Sequence, residues 1–286
     1  MKQYGDLTKD LTTFTNSRVV IIPVPYDGTS TWMKGANQGP DALIEASCNM
    51  EVYDIATDSE VHKIGIHTAD PVTENSSPEA MSRKVYERMK SCFEKKKFPV
   101  LIGGEHSVSI GAFKAAAETY DDLTILQFDA HADLRQEYSG TKYNHACVMA
   151  RAKEFAPILQ VGIRSMSVEE RKDIQPGRIY YAEDIHDSKI WMDDLLTKLT
   201  GNTYITIDLD VFDPSIMPST GTPEPGGLMW YQVLEILKKI NKQTNVVGFD
   251  IVELRPVNEN KAPDFLASKL IYTLLTYRFI EGTRGE

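Results

Sequence analysis

The chain has 286 residues, a formal net charge of −10, and 42% hydrophobic and 25% charged residues. This composition is typical of a globular protein, and the acidic charge disfavours nucleic acid as a partner while it tolerates cations. Three cysteines without a CxxC pair argue against a disulfide scaffold, and no apolar run is long enough for a signal peptide or a membrane span, so we expect a cytoplasmic protein without membrane contact.

Short apolar runs rich in β-branched residues alternate with longer amphipathic stretches. This alternation is typical of βαβ units, in which helices cover both faces of a parallel sheet. The predicted strands are Val19–Tyr26, Val61–His67, Val100–Ile102, Leu123–Phe128, Ile158–Ile163, Ile179–Ala182, Tyr204–Leu209 and Val246–Val252. The predicted helices are Pro40–Cys48, Pro78–Lys96, Val108–Tyr120, Asn144–Phe155, Trp191–Leu199, Trp230–Asn241 and Pro263–Phe279.

The caps and loops between these elements indicate one domain over residues 1–286. Ser77 before Pro78 predicts an N-cap with proline at the first helical position. No repeat, low-complexity segment or linker divides the chain. The Pro- and Gly-rich loop Asp210–Gly227 is long and begins with an acidic residue, which favours a functional role.

The motif DAHAD follows the apolar run LTILQF and places three potential metal ligands at alternate positions: Asp129, His131 and Asp133. In an extended chain, such positions share one side of the strand. We therefore expect all three side chains to converge where a parallel strand ends, which is the edge at which open α/β sheets bind ligands.

Two further strand ends carry the same kind of residue. Asp208 and Asp210 end the run TYITIDLD, and His106 follows VLIGGE. Gly103 and Gly104 beside His106 permit close packing or unusual backbone angles.

Four carboxylates and two imidazoles at one edge predict a site for two divalent cations. Four negative charges are too costly to crowd together unless cations neutralise them. Oxygen and imidazole ligands without thiolates fit Mn²⁺, although the ligand types also permit Fe²⁺, Co²⁺ or Zn²⁺.

The ordered motifs along the chain resemble the ureohydrolase family, which includes arginase and agmatinase. They are PVPYDGTS, GANQGPDALIEAS, GGEHS, DAHADLR, NHACVM, VGIRS, TIDLDVFDPSIMPSTGTPEPGG and FDIVELRP. The resemblance implies a single three-layer α/β/α domain around a mainly parallel, eight-stranded sheet, with two manganese ions at its carboxyl edge. It also implies homotrimers or homohexamers.

Carried over residue by residue, the resemblance implies that the six ligands form two sites with shared bridging carboxylates. One ion would be bound by His106 and Asp133, the other by His131 and Asp210, and both by Asp129 and Asp208.

The resemblance also implies how a guanidino group would be cleaved to urea and an amine. A hydroxide shared by the two ions would attack the guanidinium carbon. Glu253 would bind and orient the guanidinium, Asp133 would accept the proton released on attack, and His145 would bind substrate and relay a proton to the departing amine.

The segment HADLRQEYSGTKYNHACVM looks most like agmatinases, which favours agmatine as substrate with putrescine and urea as products. Arg135 and Ser167 stand where arginases grip the substrate's α-amino and α-carboxylate groups, and they depart from that pattern. A cation at Arg135 would repel agmatine's ammonium unless Glu137 or another acid neutralises it. The same arginine could instead bind the carboxylate of guanidinobutyrate or another guanidino acid.

Two other classes of protein stay open from the sequence. A deacetylase of the same superfamily would need one zinc, which the six ligands disfavour. A non-catalytic guanidine- or polyamine-binding protein would be expected to lack a ligand or Glu253, and all of these residues are present.

Overall fold

Eight parallel strands form one sheet at the centre of the molecule, in the order β2-β1-β3-β8-β7-β4-β5-β6. The computed structural model describes residues 2–280; Met1 and residues 281–286, which the predicted domain includes, lie outside the described residues. The strands are β1 Val19–Val24, β2 Ile66–Thr68, β3 Phe98–Gly103, β4 Leu123–Phe128, β5 Ile158–Ile163, β6 Ile179–Tyr181, β7 Asn202–Asp208 and β8 Asn245–Val252.

Helices cover both faces of the sheet and give the three layers that the resemblance implied. The α-helices of residues 2–280 are α1 Lys9–Thr12, α2 Gly39–Ser47, α3 Pro78–Glu94, α4 Ser109–Ala117, α5 Val148–Ala152, α6 Ala182–Ile185, α7 Ile190–Lys198, α8 Trp230–Gln243 and α9 Ala262–Phe279. Apolar residues of α2, α7, α8 and α9 belong to one core cluster, and those of α3, α4 and α5 belong to a second cluster.

Alternating side chains of each strand fill these two cores. Val19 and Ile21 belong to the first cluster, whereas Val20 and Ile22 belong to the second. Because both faces are covered, every residue of β1, β3, β4 and β5 is buried. This double burial explains why the strands were readable as continuous apolar runs, and the predicted bounds of β4 and β5 are confirmed.

Some predicted elements are wrong in part. Residues Val61–Ile64, predicted as strand, form a 3-10 helix that ends at Gly65, whose φ of +79° interrupts the extended chain before β2 begins. The predicted helix Asn144–Phe155 is a 3-10 turn, His145–Cys147, followed by the short helix α5. By contrast, Ser77 caps α3 as predicted, since its side chain accepts a hydrogen bond from the backbone of Ala80.

Strand order decides which residues meet at the carboxyl edge. The four central neighbours are β3, β8, β7 and β4, although the chain visits them as β3, β4, β7 and β8. His106 follows β3, Asp129 follows β4, Asp208 ends β7 and Glu253 follows β8. Residues that are far apart in sequence therefore lie side by side at one edge.

Candidate functional site

The first half of the site is a cluster around the His106 ring, which is almost fully buried. The Nδ1 atom of His106 lies 3.1 Å from an oxygen of Asp129, 3.3 Å from one of Asp133 and 3.5 Å from one of Asp208. The ligand atoms of His106, Asp129 and Asp208 are close enough together to hold one metal ion.

A second cluster lies beside the first and shares Asp129 with it. The Nδ1 atom of His131 is 2.9 Å from an oxygen of Asp210 and 3.6 Å from one of Asp129. Asp129, His131 and Asp210 form a second group that could hold an ion. The structure thus brings together all six candidate ligands selected from the sequence, and Asp129 belongs to both groups.

Hydrogen bonds behind the cluster fix which nitrogen of His106 faces the carboxylates. Its Nε2 atom lies 2.8 Å from the hydroxyl of Thr206, which donates to Asp250 at 2.6 Å. The buried Nδ1 atom has no hydrogen-bond partner among the described residues. A neutral imidazole held in this way presents Nδ1 as a lone pair, so the donor set fits a divalent cation bound by oxygen and nitrogen.

Opposing pKa shifts show how strongly the acids of the cluster repel each other. Burial and the charge of Asp129 raise the pKa of Asp133 to about 7. Burial and the charges of Asp210 and Asp129 raise the pKa of Asp208 well above its usual range. Burial lowers the pKa of His131, but the acids around it outweigh this effect and raise the pKa to about 12. Both trends mean that the cluster gains by binding positive charge.

The DAHAD motif reaches this arrangement by a different backbone path from the one expected. β4 ends at Phe128, and Asp133 has a φ of +52°, so the five residues do not continue as an extended strand. Asp129 accepts a hydrogen bond from the backbone of His131 at 2.6 Å. The prediction that alternation alone places the three side chains on one side is wrong, because a bent loop brings them together.

Glu253 lies at the end of β8 with a φ of +66°. Its backbone N–H donates to the carbonyl of Gly104 at 2.8 Å, and its carboxylate accepts from the backbone of His106 at 2.7 Å. Gly104 is needed here, because a Cβ atom at that position would lie 1.9 Å from the carbonyl oxygen of Tyr26. Burial and the charge of Glu105 raise the pKa of Glu253 well above its usual range.

Most of the chain is similar to one family of known proteins. The model of the arginase family matches residues 17–276. A protein of Synechocystis sp. named N(1)-aminopropylagmatine ureohydrolase is 37% identical over 279 residues, covering 93% of this chain and 91% of the relative. A protein of Pyrococcus horikoshii named agmatinase is 33% identical over 262 residues, covering 90% of each.

This chain belongs to the arginase family. The structure of the agmatine ureohydrolase of Thermoplasma volcanium has a TM-score of 0.87 with 30% identity, covering 97% of this chain and 94% of that chain. The resemblance and the fold drawn from the sequence motifs are thereby confirmed. The protein is an agmatinase-like ureohydrolase, a hydrolase of the class that acts on linear amidines.

A cavity of about 290 Å³ opens from the acidic cluster of this arginase-family enzyme. Its walls combine candidate ligands with Glu253, His145 and Arg135, and with Gly221 and Thr222 of the loop after β7. His145 is at the start of its 3-10 turn, and burial and the charges of His131 and His106 lower its pKa to about 4.

The outer wall of the ureohydrolase cavity contains an acid that the sequence did not single out. Arg135 lies over the ring of Tyr138, 4.5 Å from its centroid, and its Nε atom is 3.8 Å from the carboxylate of Glu170. The nearly buried Glu170 also accepts from the backbone N–H groups of Leu134 and Ser167, at 2.8 and 2.6 Å. Glu137 is exposed and makes no ion pair with any residue of 2–280, so Glu170 is the acid beside Arg135.

Two other residues near the site were also missed. Glu224, in the loop after β7, approaches Nε2 of His131 to 3.9 Å, and Thr29 contacts His145. Glu170 could have been noticed from the spacing Ser167-x-x-Glu170, which is that of a capping box, and its carboxylate accepts from the backbone of Ser167 as in that motif. None of residues 2–280 belongs to a helix long and apolar enough to cross a membrane.

Proposed function

We propose that this ureohydrolase cleaves the guanidino group of agmatine, with putrescine and urea as products. One observation carries the proposal: a single cavity joins the six-residue cluster to Glu253 at its inner end and to a charge-compensated Arg135 at its outer wall. The inner end suits a guanidinium group, and the outer wall does not present a free cation to the ammonium at the other end of agmatine.

Under this proposal, the cluster holds two Mn²⁺ ions. His106 and Asp133 would hold one ion, His131 and Asp210 would hold the other, and Asp129 and Asp208 would be shared by both. When bound, the two ions supply Lewis acidity and lower the pKa of water at the site.

The other residues position the substrate and move protons. The carboxylate of Glu253 pairs with the N–H groups of the guanidinium, and its hydrogen bond to the backbone of His106 keeps it in place. Asp133 accepts the proton lost as a water oxygen bonds to the guanidinium carbon. His145 then relays this proton from Asp133 to the amine nitrogen as the carbon–nitrogen bond breaks, and the hydroxyl of the intermediate loses its proton to solvent, which leaves urea and a free amine.

The surroundings of Arg135 favour a cationic substrate over a guanidino acid. A carboxylate on the substrate is favoured most by an arginine whose charge no acid of the protein offsets. Here the guanidinium lies against the ring of Tyr138 and beside Glu170. Its charge is offset, so the pocket wall tolerates the ammonium of agmatine and gives little to the carboxylate of guanidinobutyrate or arginine.

N(1)-aminopropylagmatine is a second candidate substrate. Relatives with this activity in their names are 37% identical in Synechocystis and 36% identical in Thermus thermophilus. Trp32, which lines the cavity, is 69% exposed and gives an apolar surface beyond the pocket on which a longer amine could lie. Both candidates share the guanidino group and the cationic tail.

A substrate panel tests the proposal. The chain would be loaded with Mn²⁺, and urea release would be measured from agmatine, N(1)-aminopropylagmatine, arginine, guanidinobutyrate and guanidine. We expect one of the two cationic amines to exceed both guanidino acids in kcat/KM by at least ~10²-fold, because like charges brought together in a binding site cost several kcal/mol. Equal or faster turnover of a guanidino acid would contradict the proposed substrate, and binding without urea release would contradict catalysis.

Assembly and location stay predictions from the sequence. We propose a homotrimer or homohexamer in the cytoplasm, with a small guanidino compound as the partner molecule. Light scattering at several protein concentrations would measure the assembly.

A further inference from the structure

The loop after β1 contains a contact to His145 that the proposed chemistry has not used. This loop carries the motif PYDGTS, in which Thr29 is the last residue but one. The hydroxyl oxygen of Thr29 accepts a hydrogen bond from the backbone N–H of His145 at 3.0 Å and lies 3.1 Å from Nδ1 of its ring. One hydroxyl therefore engages both the backbone and the ring of the same histidine.

The loop that carries Thr29 is itself closed. Asp27 accepts a hydrogen bond from the backbone of Gly35 at 2.6 Å, and Lys34 donates to the carbonyl of Asp27 at 2.9 Å. The residue before Thr29 is Gly28, where a Cβ atom would overlap the side chain of Tyr26. The contacts of Asp27 with Lys34 and Gly35 close the loop around Thr29, which restricts the position of its hydroxyl.

The movement of the His145 ring is also restricted by a second neighbour. Tyr138 approaches it edge-on, with 6.2 Å between the ring centroids and an angle of 87° between the planes. With Nδ1 engaged by Thr29, the hydrogen bonds within residues 2–280 leave Nε2 as the nitrogen available for proton exchange. His145 lines the cavity, so this nitrogen belongs to the group that meets the substrate.

We propose, on the basis of the function proposed above, that Thr29 is a positioning residue that holds the His145 ring for proton transfer to the departing amine. A histidine without this contact can rotate about its side-chain bonds, and a misplacement of about 1 Å at a reacting group costs on the order of 10²-fold in rate. Within residues 2–280, Thr29 makes no hydrogen bond to any of the six candidate ligands, so its loss should spare metal binding.

Two substitutions distinguish the effect of the Thr29 hydroxyl from the effect of the side chain's shape. Thr29→Val keeps the branched shape and removes the hydroxyl, whereas Thr29→Ser keeps the hydroxyl. We expect Thr29→Val to lower kcat for the favoured amine by about tenfold to a hundredfold, with KM and manganese content little changed. Thr29→Ser should recover most of the lost rate. Thr197→Val is the matched control, because Thr197 is exposed and bonds only within its own helix.

Two results would overturn the role of Thr29. One is a Thr29→Val enzyme with an unchanged kcat, and the other is a Thr29→Ser enzyme that loses as much rate as Thr29→Val. If Thr29→Val does not fold, Thr29→Ala takes its place in the same comparison. A loss of manganese from folded Thr29→Val would likewise count against a role confined to His145.

A spectroscopic measurement keeps this inference distinct from the proposed function. The sequence has six histidines, so the ring nitrogens can be observed by NMR in protein labelled with ¹⁵N-histidine and loaded with diamagnetic Mg²⁺. Loss of a signal in His145→Asn assigns it. Thr29→Val should shift the Nδ1 resonance of His145 and Thr29→Ser should not. If the wild type releases no urea, the proposed function fails, while the shift still decides whether Thr29 holds the ring.

Discussion

The two edges of the sheet carry charge in opposite ways. At the carboxyl edge, four aspartates are buried within one cluster, and the half-buried Glu253 lies beside them. At the amino edge, cations lie over aromatic rings near the surface: Arg18 is 4.5 Å from the ring centroid of Phe279, and Lys97 is 5.1 Å from that of Phe14. One edge concentrates negative charge out of water, and the other spreads positive charge where water reaches it.

Helix direction contributes to this difference. Helices that return between parallel strands end near the amino edge, where their C-terminal partial negative charge favours cations. Lys95 follows the end of α3, and Arg278 lies in the last turn of α9. At the carboxyl edge, backbone N–H groups of the opposite helix ends stabilise carboxylates, as when Glu105 accepts from Ser107 at 2.9 Å. The charges at the amino edge thus stabilise the fold, whereas the crowded carboxylates of the carboxyl edge would be stabilised by bound cations.

The largest difference between the edges should come from removing a carboxylate charge. Asp208→Asn nearly preserves the size of the side chain but removes a negative charge that both proposed metal ions would share. We expect at least one ion to be lost and activity to fall by several orders of magnitude, on the order of 10³-fold or more. Metal analysis and urea release measure the two effects.

The same substitution at the opposite edge is the control. Asp122 precedes β4, is exposed, and has a φ of +51°, a conformation that asparagine also tolerates. Asp122→Asn should leave both metal content and turnover unchanged. Full metal content with normal turnover in Asp208→Asn would remove Asp208 from the bridging role.

The next effect concerns His145, the proposed proton relay at the carboxyl edge. This residue is not one of the six candidate metal ligands. His145→Ala should keep both ions and lose ~10²–10⁴-fold in rate, the usual contribution of general acid–base catalysis. His186, which is exposed and distant in sequence from the motifs, gives the control variant His186→Ala. A loss smaller than about tenfold would exclude the relay role, and loss of metal would mean that His145 has a different position in the site.

A smaller effect, on KM, should follow when one charge of the Arg135–Glu170 pair at the cavity wall is removed. Glu170→Gln leaves the arginine charge uncompensated, so KM for agmatine should rise by about tenfold, or ~1.4 kcal/mol. Arg135→Ala should leave agmatine turnover nearly unchanged, and combining it with Glu170→Gln should restore KM. Glu137→Gln is the control, since Glu137 makes no ion pair within residues 2–280.

The opposite result at Arg135 would change the substrate assignment. If a guanidino acid is the substrate, Arg135→Ala removes a charge-assisted contact worth roughly 1.5–3 kcal/mol and raises KM for guanidinobutyrate. Testing both variants against both substrates separates the two cases by the direction of the change.

The smallest effect belongs to the amino edge and should appear in stability alone. Arg18→Gln removes the cation–π contact with Phe279 and should lower the free energy of unfolding by about 0.5–1 kcal/mol, the value for exposed contacts. Thermal denaturation measures this change. Urea release per bound metal should stay at the wild-type level, and a loss of turnover would show that the two edges are coupled.

Much of the carboxyl edge could be predicted because its residues follow strands that are themselves readable. Asp129 and His131 follow the buried strand Leu123–Phe128, so their place at its carboxyl end could be predicted from the apolar run alone. The same reasoning failed for Asp133, whose φ of +52° depends on the bent loop and not on strand alternation.

Glu170 and Thr29 could not be predicted because they reach the site from loops. Their positions depend on strand order, and the crossing from β3 to β4 over two other strands is not contained in any local pattern. The spacing Ser167-x-x-Glu170 predicts a helix start, but it does not show that the same carboxylate faces Arg135. The amino edge gave no comparable signal, since lysines after a helix are common on any surface.

The closed loop from Asp27 to Gly35 has a consequence for engineering substrate scope. Its two ends are fixed by the contact between Asp27 and Gly35, and Thr29 is held against His145. The residues between, which line the cavity, make no comparable contact with the cluster. A library confined to residues 30–33, with Trp32 at its centre, would therefore vary which amine tails are accepted while the machinery of bond cleavage stays as it is.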